Sequence, residues 1–152
     1  MAEYLTSTNA KVYLSLGEPA TLDAAGYAAK TYTQIKGVTT IPTFGSTTEV
    51  VTIQPLEDGF DNKSKGFTNY GSQAFEAGFI EGDAGQALVE LGADGVNKFS
   101  NHSMKIEYSN GAVRYYVCQI FGYNETPGAA NNTIMIGFNV EINSPIVRVV
   151  AP

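Results

Sequence analysis

The sequence predicts a mainly β protein: an antiparallel β-sandwich or small barrel, with one flanking α-helix at about residues 83–92 and a long loop at about residues 57–71. Three observations carry that reading. Thr133 to Asn143 alternates cleanly, with Ile134, Ile136, Phe138, Val140 and Ile142 on one side and Met135, Gly137, Asn139 and Glu141 on the other. Such alternation marks a half-buried antiparallel strand. Asn110-Gly111 stands between two apolar arms, as a hairpin turn requires. Roughly seven or eight strand patterns and one helix follow one another with no alternation of strand and helix, which favours an antiparallel sandwich or barrel over a parallel sheet.

Taken in order, residues 1–10 are polar and without period, and read as a mobile N-terminal arm. Val12, Leu14 and Leu16 then alternate with Lys11, Tyr13 and Ser15, a strand closed by Gly17-Glu18-Pro19. Ala20 to Ala29 is rich in small residues and carries no clear pattern. Thr31 to Lys36 reads as a strand, Lys36-Gly37 as the start of a turn, and Pro42 to Ser46 as a loop. Glu49 to Leu56 is strand-like and rich in β-branched residues.

The segment Glu57 to Gly71 is the longest without pattern, yet it holds Phe60, Phe67 and Tyr70. Loops of this length in a compact domain are usually functional or disordered. Either this one folds back on its own domain or it docks on a neighbour. Gln73 to Glu81 returns to a strand pattern, with Phe75, Ala77 and Phe79 on one face.

Asp83 to Leu91 is the one clear helix. Ala84, Ala87, Leu88 and Leu91 form a single apolar stripe. Asp83 suits the N-cap, Gln86 completes a capping-box pattern, and Gly92 sits where a C-terminal cap belongs. Around Asn110-Gly111 a two-residue turn would set Tyr108 opposite Val113, Glu107 opposite Arg114, Ile106 opposite Tyr115 and Met104 opposite Val117. Gly122 to Asn132 is a long polar connection. Ile146 to Val150 is a last short strand, and residues 148–152 form a C-terminal tail. The 152 residues fit one domain with enough length for a core.

Composition narrows the function classes. Charged residues are only 16% of the chain against 43% hydrophobic, so much of the polar surface is Asn, Thr, Ser and Gly. That surface is suited to packing against neighbours. A formal net charge of -6 with no Lys/Arg cluster argues against direct nucleic-acid binding, which needs phosphate neutralisation. The start of the chain has no basic and apolar signal pattern, and no apolar run reaches membrane-spanning length. The expectation is a protein that folds in the cytosol. Cys118 lies in an apolar strand pattern and reads as a small buried hydrophobe.

No catalytic constellation emerges. His102 is the single histidine and has no recognisable nucleophile partner, and no G-x-S-x-G motif is present. One Cys and one His are too few for a zinc site, and no phosphate loop occurs. Two carboxylates paired in space would suit glycoside hydrolysis, but the chain has no Trp to stack on sugars. Glu57-Asp58 and Asp61-Asn62 are acidic without the spacing of a calcium loop. The chain therefore reads as a non-enzyme with no cofactor and no metal.

From residue 31 onward the order of features is distinctive: Tyr32-Thr33-Gln34-Ile35-Lys36-Gly37-Val38, then Phe60-Asp61-Asn62-Lys63-Ser64-Lys65-Gly66-Phe67, then a strand into Asp83-Ala84-Gly85-Gln86-Ala87-Leu88, the hairpin, and a terminal strand. This order resembles the major tail tube protein of long, non-contractile-tailed, lambda-like bacteriophages. The resemblance implies a β-sandwich with a flanking helix. It implies a virion structural protein, assembled in the host cytoplasm, whose hexameric rings stack into a hollow tube that conducts double-stranded DNA without binding it specifically. Tail tip and tail terminator proteins would be partners beside the other copies of the chain.

Carried over by position, the loop Glu57 to Tyr70 would bridge rings through Asp58, Phe60, Asp61, Lys63, Lys65, Phe67 and Tyr70. The arm Ala2 to Ala10 and the tail Arg148 to Pro152 would add contacts. Strands about 4.8 Å apart and tilted by roughly 45° each cover about 6.8 Å of circumference. A closed sheet of about 24 strands, four from each of six subunits, would be about 50 Å across and leave about 40 Å clear, enough for hydrated duplex DNA. A negative lumen would repel phosphates, and Glu49, Glu107 and Glu141, on strand faces opposite apolar ones, are its candidate acids. The rival readings are a monomeric Ig-like adhesion or carbohydrate-binding module, and the tube subunit of a contractile tail.

Overall fold

The computed structural model describes residues 3–152; Met1 and Ala2, the start of the expected arm, lie outside the described residues. In chain order the elements are β1 (Lys11–Leu16), α1 (Ala24–Ala28), β2 (Thr33–Ile35), β3 (Val38–Thr40), β4 (Thr47–Ile53), β5 (Asn62–Asn69), β6 (Ser72–Gly78), α2 (Ala84–Asp94), β7 (His102–Glu107), β8 (Val113–Thr126), β9 (Met135–Ile142) and β10 (Val147–Val149). The fold is mainly β and antiparallel, as the alternation requires. Eight strands make one sheet in the order β2-β1-β7-β8-β9-β6-β3, with β10 also beside β8, while β4 and β5 form a separate two-stranded ribbon.

The large sheet curls around one core without closing into a barrel. Its end strands, β2 and β3, are consecutive in the chain and joined only by Lys36-Gly37. Gln86 of α2 fastens this junction. Its side-chain amide donates to Lys36 O at 2.8 Å and Gly78 O at 2.9 Å, and its carbonyl accepts from Ile80 N–H at 3.0 Å. A buried amide with these partners met stabilises the junction, whereas an unmet one would cost about 1–3 kcal/mol.

The core follows the period-2 rule. Val12 and Leu14, Met104 and Ile106, Tyr116, Cys118 and Ile120, Phe75, and Phe138, Val140 and Ile142 share one cluster. Phe75 and Phe138 are register partners on β6 and β9, and their rings stack at 5.0 Å. The first half of β8 is buried on its second face too. There Tyr115 and Val117 meet Tyr27 of α1, with Tyr32, Val147 and Val149 around them. Tyr27 stacks on Tyr115 at 5.1 Å, and the Ser144 hydroxyl accepts from Val117 N–H at 2.8 Å. Helix α1 is a second helix, in the stretch where small residues give no pattern.

The long loop expected at residues 57–71 is mostly strand. β5 pairs antiparallel with β4 from Ile53↔Asn62 to Thr47↔Asn69, with a bulge between Thr48 and Val50. Only Gln54 to Asp61 remains a turn. β5 reads Asn-Lys-Ser-Lys-Gly-Phe-Thr-Asn, and its side chains are nearly all exposed, so no hydrophobic period announces it. Its order comes from backbone pairing.

The hairpin sits where Asn110-Gly111 places it, but its loop has three residues. Tyr108 N–H donates to Ala112 O and Gly111 N–H to Tyr108 O, each at 2.9 Å, and Gly111 takes φ 91°. The extra residue slips the pairing by one, so Glu107 faces Val113, Ile106 faces Arg114 and Met104 faces Tyr116. The expected Glu107–Arg114 pair does not form. Glu107 lies 3.8 Å from Lys105 instead, and Arg114 lies over the Tyr108 ring. Strand β8 also runs on to Thr126, shortening the connection expected from Gly122.

Helix α2 starts as expected: the Asp83 carboxylate accepts from Gln86 N–H at 3.0 Å. Gln86 does not complete a capping box, because its side chain serves the junction. The helix continues past Gly92 to Gly95 and buries Gly85, Gln86, Val89, Gly92 and Ala93. Of the expected stripe, Ala84, Ala87 and Leu91 are exposed and only Leu88 is half-buried. Close approach to the sheet decides this. A Cβ at Gly85 would stand 2.1 Å from Gln34 O, and one at Gly92 would stand 2.9 Å from His102 Cε1. Hydrophobic periodicity gives glycine no weight, so the contact face is the one it overlooks.

Candidate assembly surfaces

The β4–β5 ribbon is anchored at its base and uncovered along its length. Phe44 before β4 and Tyr70 after β5 both pack on the main core, and Phe44 lies 5.9 Å from the Tyr116 ring. Gly71 O accepts from Ile142 N–H at 3.0 Å, tying the outgoing stem to β9. Beyond these stems, Val50, Val51, Ile53, Leu56, Phe60 and Phe67 are all exposed, Leu56 at 98% and Phe67 at 87%. A lone two-stranded hairpin is marginally stable in water. An exposed apolar run of this extent marks an interaction surface.

Register assigns the ribbon's faces. Val50 pairs with Lys65 and Thr52 with Lys63, so these four share one face; Val51, Ser64, Ile53 and Asn62 share the other. The structure thus gathers Asp58, Phe60, Asp61, Lys63, Lys65 and Phe67 on the ribbon and its turn. Tyr70 is separate from them, since it turns into the core. Asp61 accepts from the Gln54 amide and Asp58 from the Asn62 amide, each at 2.9 Å, which orders the turn.

A second surface is the outward face of β6, β9 and the far half of β8. Ser72, Ala74 and Glu76 of β6, Asn139 and Glu141 of β9, and Phe121 of β8 are exposed there. Phe121 is the extra residue of a bulge between Ile120↔Val140 and Gly122↔Asn139. Pairing of β8 with β7 ends at Cys118↔His102, so among the described residues nothing pairs with that edge from Gln119 to Thr126. Such an edge is a template for another strand.

The three expected lumen acids are not brought together. Glu49 is on the ribbon, and Glu107 is at the far end of β7 beside Lys105. Only Glu141 lies on the outward face, and the acid sharing that face is Glu76 on β6, where Ser72 pairs with Glu141. Alternation through Gln73-Ala74-Phe75-Glu76-Ala77 carries the signal for Glu76, since it places the residue opposite Phe75.

Helix α2 presents a third surface. Ala87, Glu90, Leu91 and Asp94 form an exposed stripe, continued by Val96 at 84% and Phe99 at 88% exposure. Inside, His102 is fully buried against Gly92; its Nδ1 lies 3.2 Å from Ser100 O and its Nε2 has no partner. Burial holds its pKa below the ordinary value, so it is neutral. Burial pushes the Cys118 thiol up to about 12. Among the described residues no three His, Cys, Asp or Glu side chains converge, and no helix is long and apolar enough to cross a membrane.

No protein-family model matches the sequence, and no curated protein matches it either. Solved structures do match in fold. A chain of the anti-feeding prophage baseplate superposes with a TM-score of 0.67 at 10% identity, over 99% of each chain. A chain from the tail of an empty GTA particle, refined helically in C6 symmetry, gives 0.65 at 10% identity over 97% of this chain and 100% of that one. The SPP1 tail tube gives 0.63 at 12% identity over 95% of this chain and 78% of that one. The fold is tail-tube-like.

Proposed function

We propose that the chain is a structural subunit that assembles with copies of itself into the hollow tube of a bacteriophage tail. The observation that carries this is the β4–β5 ribbon, rooted in the core by Phe44 and Tyr70 yet with its apolar side chains uncovered. A monomeric adhesion or carbohydrate-binding module would leave that surface in water.

Ring formation follows from the sheet. Strands β8, β9, β6 and β3 are consecutive neighbours, and β8 and β3 lie at the two ends of this group. Each adjacent pair is antiparallel, so β3 runs opposite to β8. Copies related by rotation about a common axis keep their strand directions. The free edge of β8 would therefore meet the β3 edge of the next copy in an antiparallel ladder. Four strands from each of about six subunits give the clearance of about 40 Å derived above. A ring contact of this head-to-tail kind also hides both edges.

On this reading the outward face of β6 and β9 lines the lumen, and Glu76 and Glu141 supply its negative charge. DNA passes without specific binding. The ribbon, with Asp58, Phe60, Asp61, Lys63, Lys65 and Phe67, reaches a neighbouring ring; the arm to Ala10 and the tail from Arg148 add contacts. Tail tip and terminator proteins cap the tube, which forms in the host cytoplasm and belongs to the virion. The resemblance from residue 31 onward favours the long non-contractile kind of tail.

Negative-stain electron microscopy over a concentration and time series tests the assembly. Hollow, regularly banded tubes or rings are expected. Persistent monomers, even after tail-tip components are added, would overturn it.

A further inference from the structure

Helix α2 carries apolar residues on two sides, and only one of them is used within the subunit. Its small-residue side, Gly85, Val89, Gly92 and Ala93, packs on the sheet. The opposite side exposes Ala87 and Leu91 and runs on to Val96 and Phe99, with Glu90 and Asp94 along it. The outer side is thus a mixed stripe, apolar residues beside two acids, with nothing in its own subunit covering it.

We infer that this outer stripe is the seat of the β4–β5 ribbon of a second copy. The inference rests on the assembly reading above and names the surface that the ribbon meets. Charge and spacing select the pair. On one ribbon face, Lys63 and Lys65 lie two residues apart in a strand, about 6.7 Å, beside Val50. On the helix, Glu90 and Asp94 lie four residues apart, about 6 Å, beside Leu91. Two cations thus meet two anions at matching separation, with Val50, the register partner of Lys65, and Leu91, next to Glu90, as the apolar residues beside them. None of these four charged groups has an ion-pair partner within its own subunit among the described residues. Because ribbon and helix are different surfaces, the contact is head-to-tail and propagates from copy to copy.

Two variants and one cross-link test it on the full chain. Lys63→Glu with Lys65→Glu should raise the concentration at which assemblies appear by about tenfold, as two attractive pairs become repulsive. Adding Glu90→Lys and Asp94→Lys to the same chain should restore it. Separately, Lys65→Cys and Asp94→Cys chains, mixed and oxidised, should give disulfide-linked dimers beyond those of either chain alone; Cys118 is buried and does not interfere. A wild-type chain that assembles while the mixture fails to cross-link and the charge swap fails to restore assembly would overturn this contact and leave the tube reading standing. A wild-type chain that never assembles would remove both.

Discussion

The curled sheet and the β4–β5 ribbon obey the same backbone ladder rules and differ in what their side chains have to pack against. In the sheet, every second residue of β9 enters the core, and β8 is buried on both faces over its first half. In the ribbon, both faces meet water, although one strand reads Thr-Thr-Glu-Val-Val-Thr-Ile. Apolar content alone therefore does not tell where a strand's partner is. The sheet finds its partner within the chain, and the ribbon leaves its apolar side chains uncovered.

The largest break in this contrast comes from the sheet side. Phe138→Ala removes one ring of the Phe75–Phe138 stack and should cost about 3–5 kcal/mol in urea unfolding of the monomer. Next is Gly92→Ala, whose Cβ would collide with His102 and Ile120; a loss of about 1–3 kcal/mol is expected, with Leu91→Ala on the other side of the helix nearly neutral.

A pH series sharpens the same point. His102 is held neutral by burial, so its folded-state pKa lies below its unfolded one. The unfolded chain then binds the extra proton first. Stability from this group is full above about pH 6.5 and falls as pH drops below that value. His102→Leu should flatten the slope of stability against pH below about 6.5 relative to wild type. Smallest in the monomer is Phe67→Ser on the ribbon, expected within about 0.5 kcal/mol of wild type, while assembly by electron microscopy is lost. A large monomer effect there would show that the ribbon packs on its own subunit.

Much of the sheet was legible because β1, β6, β7 and β9 alternate, and a side chain that must enter the core leaves its period in the sequence. Asp83 marked the start of α2 because an N-cap needs a short acceptor side chain. Other features left no such trace. Whether the turn at Asn110-Gly111 holds two or three residues depends on how Tyr108 pairs with Ala112, and both loops tolerate those residues. The buried side of α2 is written in Gly85 and Gly92, where missing atoms do the packing. Strand β5 has no apolar partner in its own chain, and α1 is organised around one residue, Tyr27. For the candidate surfaces, the sequence located the aromatic and charged residues near 58–67 but not their shared ribbon. It grouped Glu49, Glu107 and Glu141, which strand order separates.

The junction at Lys36-Gly37 has a mechanical consequence. Because it joins β3 at one end of the sheet to β2 at the other, a pull on β3 reaches β2 and β1 through two residues, without crossing β6, β9 and β8. Gln86 adds a tie to Gly78 on β6, so tension divides between both arms of the curl. The load then shears several ladders together instead of peeling one strand at a time, which makes the junction a stiff point in the subunit.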